Sequence, residues 1–504
     1  MGEDTATDRR ENRTGAREAG SDTEITLRGP ELVLSTELEL AGMPALRGVV
    51  VPDRRRPHLY RARPADLAAI TSVIKEQQPV YLTFDPAPPL GVEPRLTVEP
   101  RPYQEEALQA WEEGGRRGVV VLPTGAGKTL VGAMAIARAG TRALVVVPTI
   151  VLCEQWREAL TTLLGLPPAS VGVVGGGSRA WDTPVVVATY DGAARALGHV
   201  SAFGLLIADE VHHLPADTYR AIAEAAVAPF RLGLSATLER SDGREGDLSA
   251  LLGAVVYTER AAPLSRDGYL APFEVVRLHV DLGAHDRASY EKDMTVFRDY
   301  RSRIARRGEP AFAVLERIRR RSAVDRAARA ALLAYGRART LALTSAAKID
   351  ALEPLLERHA DERCIVFAEH VAAVEAIGRA YLMPTITGQT PAGERATLTE
   401  DFRAGRITKI VTSRVWNEGV DVPEAAVAIV IAGTGMERDA VQRLGRILRP
   451  GPGKKAILYE LVARDTADEG IAARRRLRPE RDGADDKASV RPRPSDGRGR
   501  GGVS

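Results

Sequence analysis

Residues 118–129 read GVVVLPTGAGKT, and this stretch decides how the chain is read. The apolar run Gly118–Val121 has the length of a buried strand. The loop after it ends in Gly-Lys-Thr, and a helical pattern begins at about Lys128. A strand, a glycine-rich loop and a helix N-terminus in that order aim backbone amides and the positive end of a helix dipole at a phosphate. The strict pattern G-x-x-x-x-G-K-[ST] is not met, because Leu122 stands where the first glycine would be. The remaining parts are present. Thr124, Gly125, Ala126, Gly127 and Leu130 form the cradle, Lys128 reaches the β- and γ-phosphates, and Thr129 places its hydroxyl on magnesium.

Outward from the loop, short continuous apolar runs alternate with helical segments: GVVVL, ALVVV, PVVVA, FGLLIA and RLGLS. Runs of this kind are buried on both faces and imply a parallel sheet covered by helices. A second series follows Ser345, with RCIVFA, MPTIT, TKIVTS, AVAIVIA and AILYEL. The expected fold class is α/β, with two parallel-sheet domains in tandem. Ahead of them, residues 24–84 alternate as a small α+β domain, and DPAPPLGVEPR at 85–95, with four prolines, reads as a linker. Residues 1–23 and 477–504 are polar tails expected to be disordered.

The chain has 504 residues, 44% hydrophobic and 27% charged, enough for several cores. Its formal net charge is only +3, but residues 285–340 hold 15 Lys or Arg against 7 Asp or Glu, a net of +8. Positive charge therefore concentrates in one helix-compatible insertion, where a solvated helical face is the plain reading. Cys153 and Cys364 are far apart in apolar segments, which argues against a disulfide framework or a cysteine metal site. No apolar run reaches the roughly 20 residues of a membrane span, and no signal-peptide core is present, so a cytoplasmic location is expected.

The run Leu205–Ala208 ends in Asp209 and Glu210. A strand ending in two carboxylates beside a phosphate loop lets Asp209 hold magnesium while Glu210 orients and deprotonates the attacking water. That pair makes a hydrolase of a binder. His212 and His213 have no other histidine or cysteine at zinc-ligand spacing.

RPYQEEAL (101–108), LPTGAGKT, VVPTIVLCEQW (146–156), ATYDGA, ADEVHHLP, LGLSATLERSDGRE, VTSRVWNEGVDVPEA and DAVQRLGRILRP (439–450) resemble, in order, the helicase motifs of superfamily 2. More narrowly, the chain resembles the archaeal-type XPB helicases of DNA repair and transcription, from the N-terminal domain to about Arg476. The resemblance implies two RecA-like domains, 96–270 and 341–476, with ATP and nucleic acid at their cleft. It assigns 24–84 as a damage-recognition-like domain and 285–340 as a helical thumb that grips DNA.

The same resemblance distributes roles. Arg446 and Arg449 match the arginine-finger motif, worth roughly 10³ to 10⁵ in turnover in related systems. Arg101 and Gln104 match the adenine-sensing motif, Gln pairing with both donor and acceptor edges of the base. Gly419 and Asp421 match the site-lining element of the second domain, where Asn417 replaces the family's usual Asp. His212, Ser235, Thr237 and Gln442 match positions that relay the nucleotide state. Thr149, Thr189, Thr387, Gly388 and Thr412 stand at strand ends where amides and hydroxyls hold phosphates; ordinary strand-end capping uses the same residue types. Arg319, Arg320 and Arg321 are the thumb's basic cluster. Arg240, Ser241 and Asp242 occupy the place of an Arg-Glu-Asp triplet tied to strand separation, one carboxylate short.

The implied function is an ATP- and Mg²⁺-dependent helicase or translocase on duplex or single-stranded DNA, 3′ to 5′, acting as a monomeric motor without a membrane partner. An RNA-directed helicase of the same superfamily, and an ATP-switched clamp for the partner nuclease associated with the archaeal-type family, are the alternatives.

Overall fold

The computed structural model describes residues 22–236, 245–269, 273–368, 370–413, 425–431 and 456–474. Most of both polar tails, and the expected site residues Thr237, Arg240, Asp242, Gly419, Asp421, Gln442, Arg446 and Arg449, lie outside the described residues.

At the N-terminus, β1 (Thr23–Arg28), β2 (Glu31–Ser35), β3 (Val50–Asp53) and β4 (Arg56–Ala62) precede α1 (Leu67–Lys75) and β5 (Val80–Leu82). They form a five-stranded sheet in the order β3-β4-β2-β1-β5, antiparallel except for β5 beside β1. Ile25, Leu32, Leu34, Val50 and Tyr60 pack with Leu67, Ile70 and Ile74 of α1. Val227 of the next unit completes this core, and Arg63 pairs with Glu224 at 3.3 Å.

The proline-rich stretch 85–95 lies against the first large sheet domain. Leu90 is buried in that domain's core, its N–H donates to the Gly140 carbonyl at 3.0 Å, and the Arg95 N–H donates to the Leu164 carbonyl at 2.8 Å. Proline supplies an extended backbone and Leu90 supplies an anchor.

The first large domain runs through α2 (Pro102–Glu113), β6 (Arg117–Val121), α3 (Lys128–Ala139), β7 (Ala143–Val147), α4 (Ile150–Leu164), β8 (Val171–Gly175), β9 (Ser178–Arg179), β10 (Val185–Thr189), α5 (Tyr190–Ala194), α6 (Leu197–Val200), β11 (Leu205–Asp209), α7 (Asp217–Ala225), β12 (Phe230–Ser235), α8 (Glu245–Leu252), β13 (Val255–Thr258) and α9 (Ala261–Arg266). Its eight strands are ordered β13-β6-β12-β11-β7-β10-β8-β9, and only β9 runs antiparallel to its neighbour. Alternate side chains of each strand leave on opposite faces. Val120, Val145, Ile207 and Leu232 meet α3 and α4, while Val119, Leu144, Val146 and Leu206 meet α7 and α8. Two cores on one sheet explain why its strands read as unbroken apolar runs.

The second large domain opens with β14 (Phe273–Val280). The basic insertion follows as α10 (Ala284–Ile304), α11 (Ala311–Arg321) and α12 (Arg326–Thr344). Then come α13 (Ala346–Asp350), α14 (Glu353–Arg358), β15 (Cys364–Phe367), α15 (Val371–Tyr381), β16 (Thr385–Ile386), α16 (Ala392–Arg403), β17 (Lys409–Thr412), β18 (Val427–Val430) and β19 (Ala456–Ala463). The sheet is wholly parallel, in the order β14-β19-β18-β15-β17-β16. Because β14 precedes the insertion, the three helices are an excursion from this sheet. Their own core holds Tyr290, Phe297, Tyr300, Val314 and Ile318. Tyr290 ties the excursion to the chain just beyond β19, its hydroxyl accepting from the Ala467 N–H at 2.7 Å. Among the described residues, no helix is long and apolar enough to cross a membrane.

Candidate ATP site and nucleic-acid face

Strands β6, β12 and β11 end side by side. Val121 pairs with Ser235 and Leu234 with Asp209, so the phosphate loop, the end of β12 and the carboxylates share one edge of the sheet. Two strand spacings put Asp209 about 10 Å from Val121.

Gly125 and Gly127 take φ values of 84° and 80°, in the left-handed region where glycine carries no Cβ penalty. Leu122 needs no such freedom and is absent from the positive-φ residues. It is fully buried, its N–H donates to the Ser235 carbonyl at 3.0 Å, and its carbonyl accepts from Lys128 Nζ at 3.3 Å. An apolar residue can therefore replace the first glycine of the usual pattern. Lys128 and Thr129 open α3, and the Leu130 N–H donates to the Gly127 carbonyl at 2.9 Å.

Behind the loop, the carbonyl of buried Ala126 accepts from the Tyr103 hydroxyl at 2.8 Å and from Gln104 Nε2 at 2.9 Å. Gln104 Oε1 accepts from the Arg101 N–H at 2.9 Å. Both ends of the Gln104 amide are thus engaged by the chain, fastening the phosphate loop to the start of α2. Its neighbour Arg101 lies against Tyr269, and Tyr269 meets Tyr103 edge-on at 5.3 Å between ring centroids.

Asp209 is 7% exposed and held at both oxygens. Oδ2 accepts from Trp156 Nε1 at 2.8 Å and Oδ1 from the Glu210 N–H at 2.9 Å. Tyr190 donates its hydroxyl to the Asp209 carbonyl at 2.9 Å. Burial, reinforced by the Asp209 and Glu210 charges, pushes the Tyr190 phenol well above its ordinary value. Glu210 has φ 47°, a left-handed backbone that costs a non-glycine residue about 1–3 kcal/mol and recurs at functional sites. Its Oε2 lies 3.4 Å from Nδ1 of buried His212, whose ring is 4.3 Å from that of His213. Ser235, at the end of β12, is fully buried.

A magnesium–nucleotide fits this donor set. The Thr124 hydroxyl oxygen is buried in the loop without a partner, and Lys128, Thr129 and Asp209 converge on the same edge. Among the described residues, no group of three or more His, Cys, Asp or Glu could hold a metal ion by itself. Magnesium here would be shared with phosphate oxygens, its usual mode.

The expected phosphate-contact positions differ in availability. Thr149 and Thr189 are helix N-caps, their hydroxyl oxygens accepting from the Leu152 N–H at 3.3 Å and the Gly192 N–H at 3.0 Å. Each keeps a hydroxyl proton to donate. Thr387 accepts from the Gln389 N–H at 3.2 Å, and Gly388 is exposed. Thr412 is fully buried and donates to the Ser413 carbonyl at 3.0 Å, so its hydroxyl does not fit a phosphate contact. The strand-end position that invited the reading lies inside the sheet. Arg319, Arg320 and Arg321 are exposed at the end of α11, with Arg319 paired to Glu316 at 2.6 Å. The sequence did not single out Trp156, Tyr190, Tyr103 or Tyr269. The first three stand inside VLCEQW, ATY and RPYQ, where the motifs were the only signal.

Residues 97–240 match the family described as type III restriction enzyme, res subunit, and residues 333–478 match the ERCC3/RAD25/XPB C-terminal helicase family. The DNA 3'-5' translocase XPB2 of Sulfurisphaera tokodaii is 38% identical over 384 residues, covering 75% of this chain and 85% of that protein. The chain belongs to the XPB helicase family. Other XPB proteins are similar over a smaller share of their own length. The DNA 3'-5' helicase XPB of Mycobacterium tuberculosis is 36% identical over 74% of this chain and 62% of that protein. The Saccharomyces cerevisiae general transcription and DNA repair factor IIH subunit XPB/SSL2 is 29% identical over 77% of this chain and 44% of that protein.

Proposed function

We propose that this chain uses the energy of ATP hydrolysis to move 3′ to 5′ on DNA, translocating along or opening duplex in repair or transcription. As a member of the XPB family it is an ATP-hydrolysing DNA helicase or translocase. The observation that carries the detailed reading is the shared edge of β6, β12 and β11, which brings the phosphate loop, Ser235 and Asp209–Glu210 together.

At that edge the loop amides and Lys128 bind and orient the β- and γ-phosphates, and Thr129 with Asp209 holds magnesium. The bound ion supplies neutralisation of charge on the phosphate oxygens. Glu210 accepts the proton of the attacking water, and its contact with His212 passes the state of the site toward the following helix. Arg101 reads the base, and Gln104 meets it with the second amide N–H and the second oxygen lone pair that its contacts with Ala126 and Arg101 leave over. Arg446 and Arg449, supplied by the second domain, complete the site when the domains close, with Gly419 and Asp421 lining it and Ser235, Thr237 and Gln442 relaying the nucleotide state. Thr149, Thr189, Thr387 and Gly388 hold backbone phosphates, and Arg240 and Asp242 act where strands part. Helices α10–α12 grip DNA through their basic side chains, and residues 24–84 inspect it. The motor works in the cytoplasm as a monomer, with a nuclease as a fitting partner.

A triplex-displacement assay tests the reading. The chain should strip a third strand from duplex DNA in an ATP-dependent manner, and Glu210→Gln should abolish displacement. ATP turnover without displacement would instead favour an ATP-switched clamp, and displacement confined to RNA-containing duplexes would favour an RNA-directed enzyme.

A further inference from the structure

A buried indole joins α4 to the carboxylate that the preceding reading gives to magnesium. Trp156 is 1% exposed, and its N–H donates to Asp209 Oδ2 at 2.8 Å. Its ring is wedged against α3, the helix that follows the phosphate loop. A Cβ built on Gly132 would lie 2.5 Å from Trp156 Cη2 and 3.1 Å from Cζ3, so a glycine at 132 is what admits the indole. Leu234 of β12 closes the same space, 3.3 Å from that Cβ position. The indole is thus confined by α3 and β12 while hydrogen-bonded to the end of β11. A shift of α4 along its axis would carry the indole N–H relative to Asp209, because a close-packed interior has low compressibility and transmits strain.

The N-terminus of α4 faces a different part of the molecule. Its N-cap is Thr149, and Ile150 and Val151 in its first turn are 37% and 46% exposed. Beside them stands Thr189, whose Cγ2 would meet a Cβ on Gly175 at 2.8 Å, while Ile150 closes over Gly176. The ends of β7, β8 and β10 therefore make one surface with the start of α4. Two turns along the same helix, Trp156 reaches Asp209.

We propose that Trp156 is a positioning residue through which the seating of α4 sets the orientation of Asp209. Nucleic acid at the N-terminus of α4 and magnesium–nucleotide at Asp209 then strengthen each other's binding. The inference rests on the nucleotide-site reading above. Linkage requires the effect to be reciprocal: DNA tightens Mg²⁺–nucleotide by the same factor that Mg²⁺–nucleotide tightens DNA, and so lowers the Mg²⁺ needed at a fixed nucleotide concentration.

The test is binding of a fluorescent, non-hydrolysable ATP analogue across a Mg²⁺ titration, with and without a duplex oligonucleotide, alongside thermal unfolding. Trp156→Phe keeps an aromatic ring and removes the N–H. Loss of one charge-assisted hydrogen bond should raise the Mg²⁺ for half-maximal binding about 10-fold. DNA should lower that midpoint in the parent chain and leave it unmoved in the variant, with the melting temperature within a few degrees of the parent. Gly132→Ala keeps the N–H but crowds the ring, and should move the same readouts in the same direction even if Trp156→Phe fails to fold. Midpoints and DNA responses equal to the parent's in both variants would overturn the inference, as would a raised midpoint that still responds fully to DNA. A parent chain that binds no nucleotide with Mg²⁺ would overturn the nucleotide site itself, a distinguishable failure.

Discussion

Arg101 lies over the ring of Tyr269, its guanidinium carbon 5.4 Å from the centroid, and donates to the Tyr269 carbonyl at 3.1 Å. Four positions further along the chain, β14 of the second domain begins at Phe273. Arg101, which we propose reads the base, is therefore oriented by the segment that leads from one sheet domain to the other. A cation–π contact at a partly exposed site is worth about 0.5–1 kcal/mol. Tyr269→Ala should raise the KM for ATP about 2- to 5-fold with kcat less affected, while Tyr269→Phe, which keeps both ring and carbonyl, should match the parent. Steady-state ATPase kinetics check this, and equal KM values for Tyr269→Ala and the parent would contradict it.

The basic end of α11 gives a salt-dependence prediction. Replacing Arg319, Arg320 and Arg321 together by Ala should flatten the plot of log affinity for duplex DNA against log salt by about 0.9 for each phosphate no longer neutralised. Because Arg319 is already paired with Glu316 and Arg321 interacts with Tyr300 and Asp325, Arg320 should carry the largest share. An unchanged slope in filter-binding titrations would remove this cluster from the interface.

Lys348 and Asp468, both 0% exposed, form a buried ion pair that Lys348 extends to the Ile431 carbonyl at 2.8 Å and Asp468 to the Ala463 N–H at 2.9 Å. Lys348→Met strands a carboxylate in the core and should cost about 3–5 kcal/mol in denaturant titration. Lys348→Met combined with Asp468→Leu should recover part of that loss. Equal destabilisation by the single and double variants would show that the pair's charges are not what matters.

Burial pushes the Cys153 and Cys364 thiols from their usual 9.0 up to about 12. At pH 8 the folded chain should therefore resist alkylation at both, and unfolding in denaturant should yield two adducts by mass. Between pH 9 and 12 the unfolded chain sheds these protons and the folded chain keeps them, so stability should fall as pH rises through that window. Rapid native alkylation of either cysteine would contradict the burial.

Much of this architecture could be read from the residues, and the gaps have physical causes. GVVVL, ALVVV, PVVVA, FGLLIA and RLGLS became β6, β7, β10, β11 and β12, because helices cover both faces of those strands. Strands at sheet edges escaped the same pattern. In β14, FEVVRLHV, Glu274, Arg277 and His279 are exposed, and β13 is likewise only half covered. β8 is interrupted by glycine, and the alternating β4 gives no continuous run. The stretch 85–95 read as a linker because proline content reports backbone stiffness and says nothing of where Leu90 is buried. At the site, charged and glycine positions announce their chemistry. Trp156 and Tyr190 do not, because their part depends on which carboxylate they meet in the folded chain. The burial of Thr412 is the reverse case, a polar strand-end residue whose surroundings only the sheet reveals.

Phosphate-loop chemistry is predicted to be driven by DNA. ATP hydrolysis by the purified chain, measured without nucleic acid, with duplex DNA, with single-stranded DNA and with RNA, tests it most directly, with Lys128→Ala as the blank. Strong stimulation by DNA over RNA that vanishes in Lys128→Ala is the predicted result. Turnover indifferent to DNA, or unchanged in Lys128→Ala, would contradict the account.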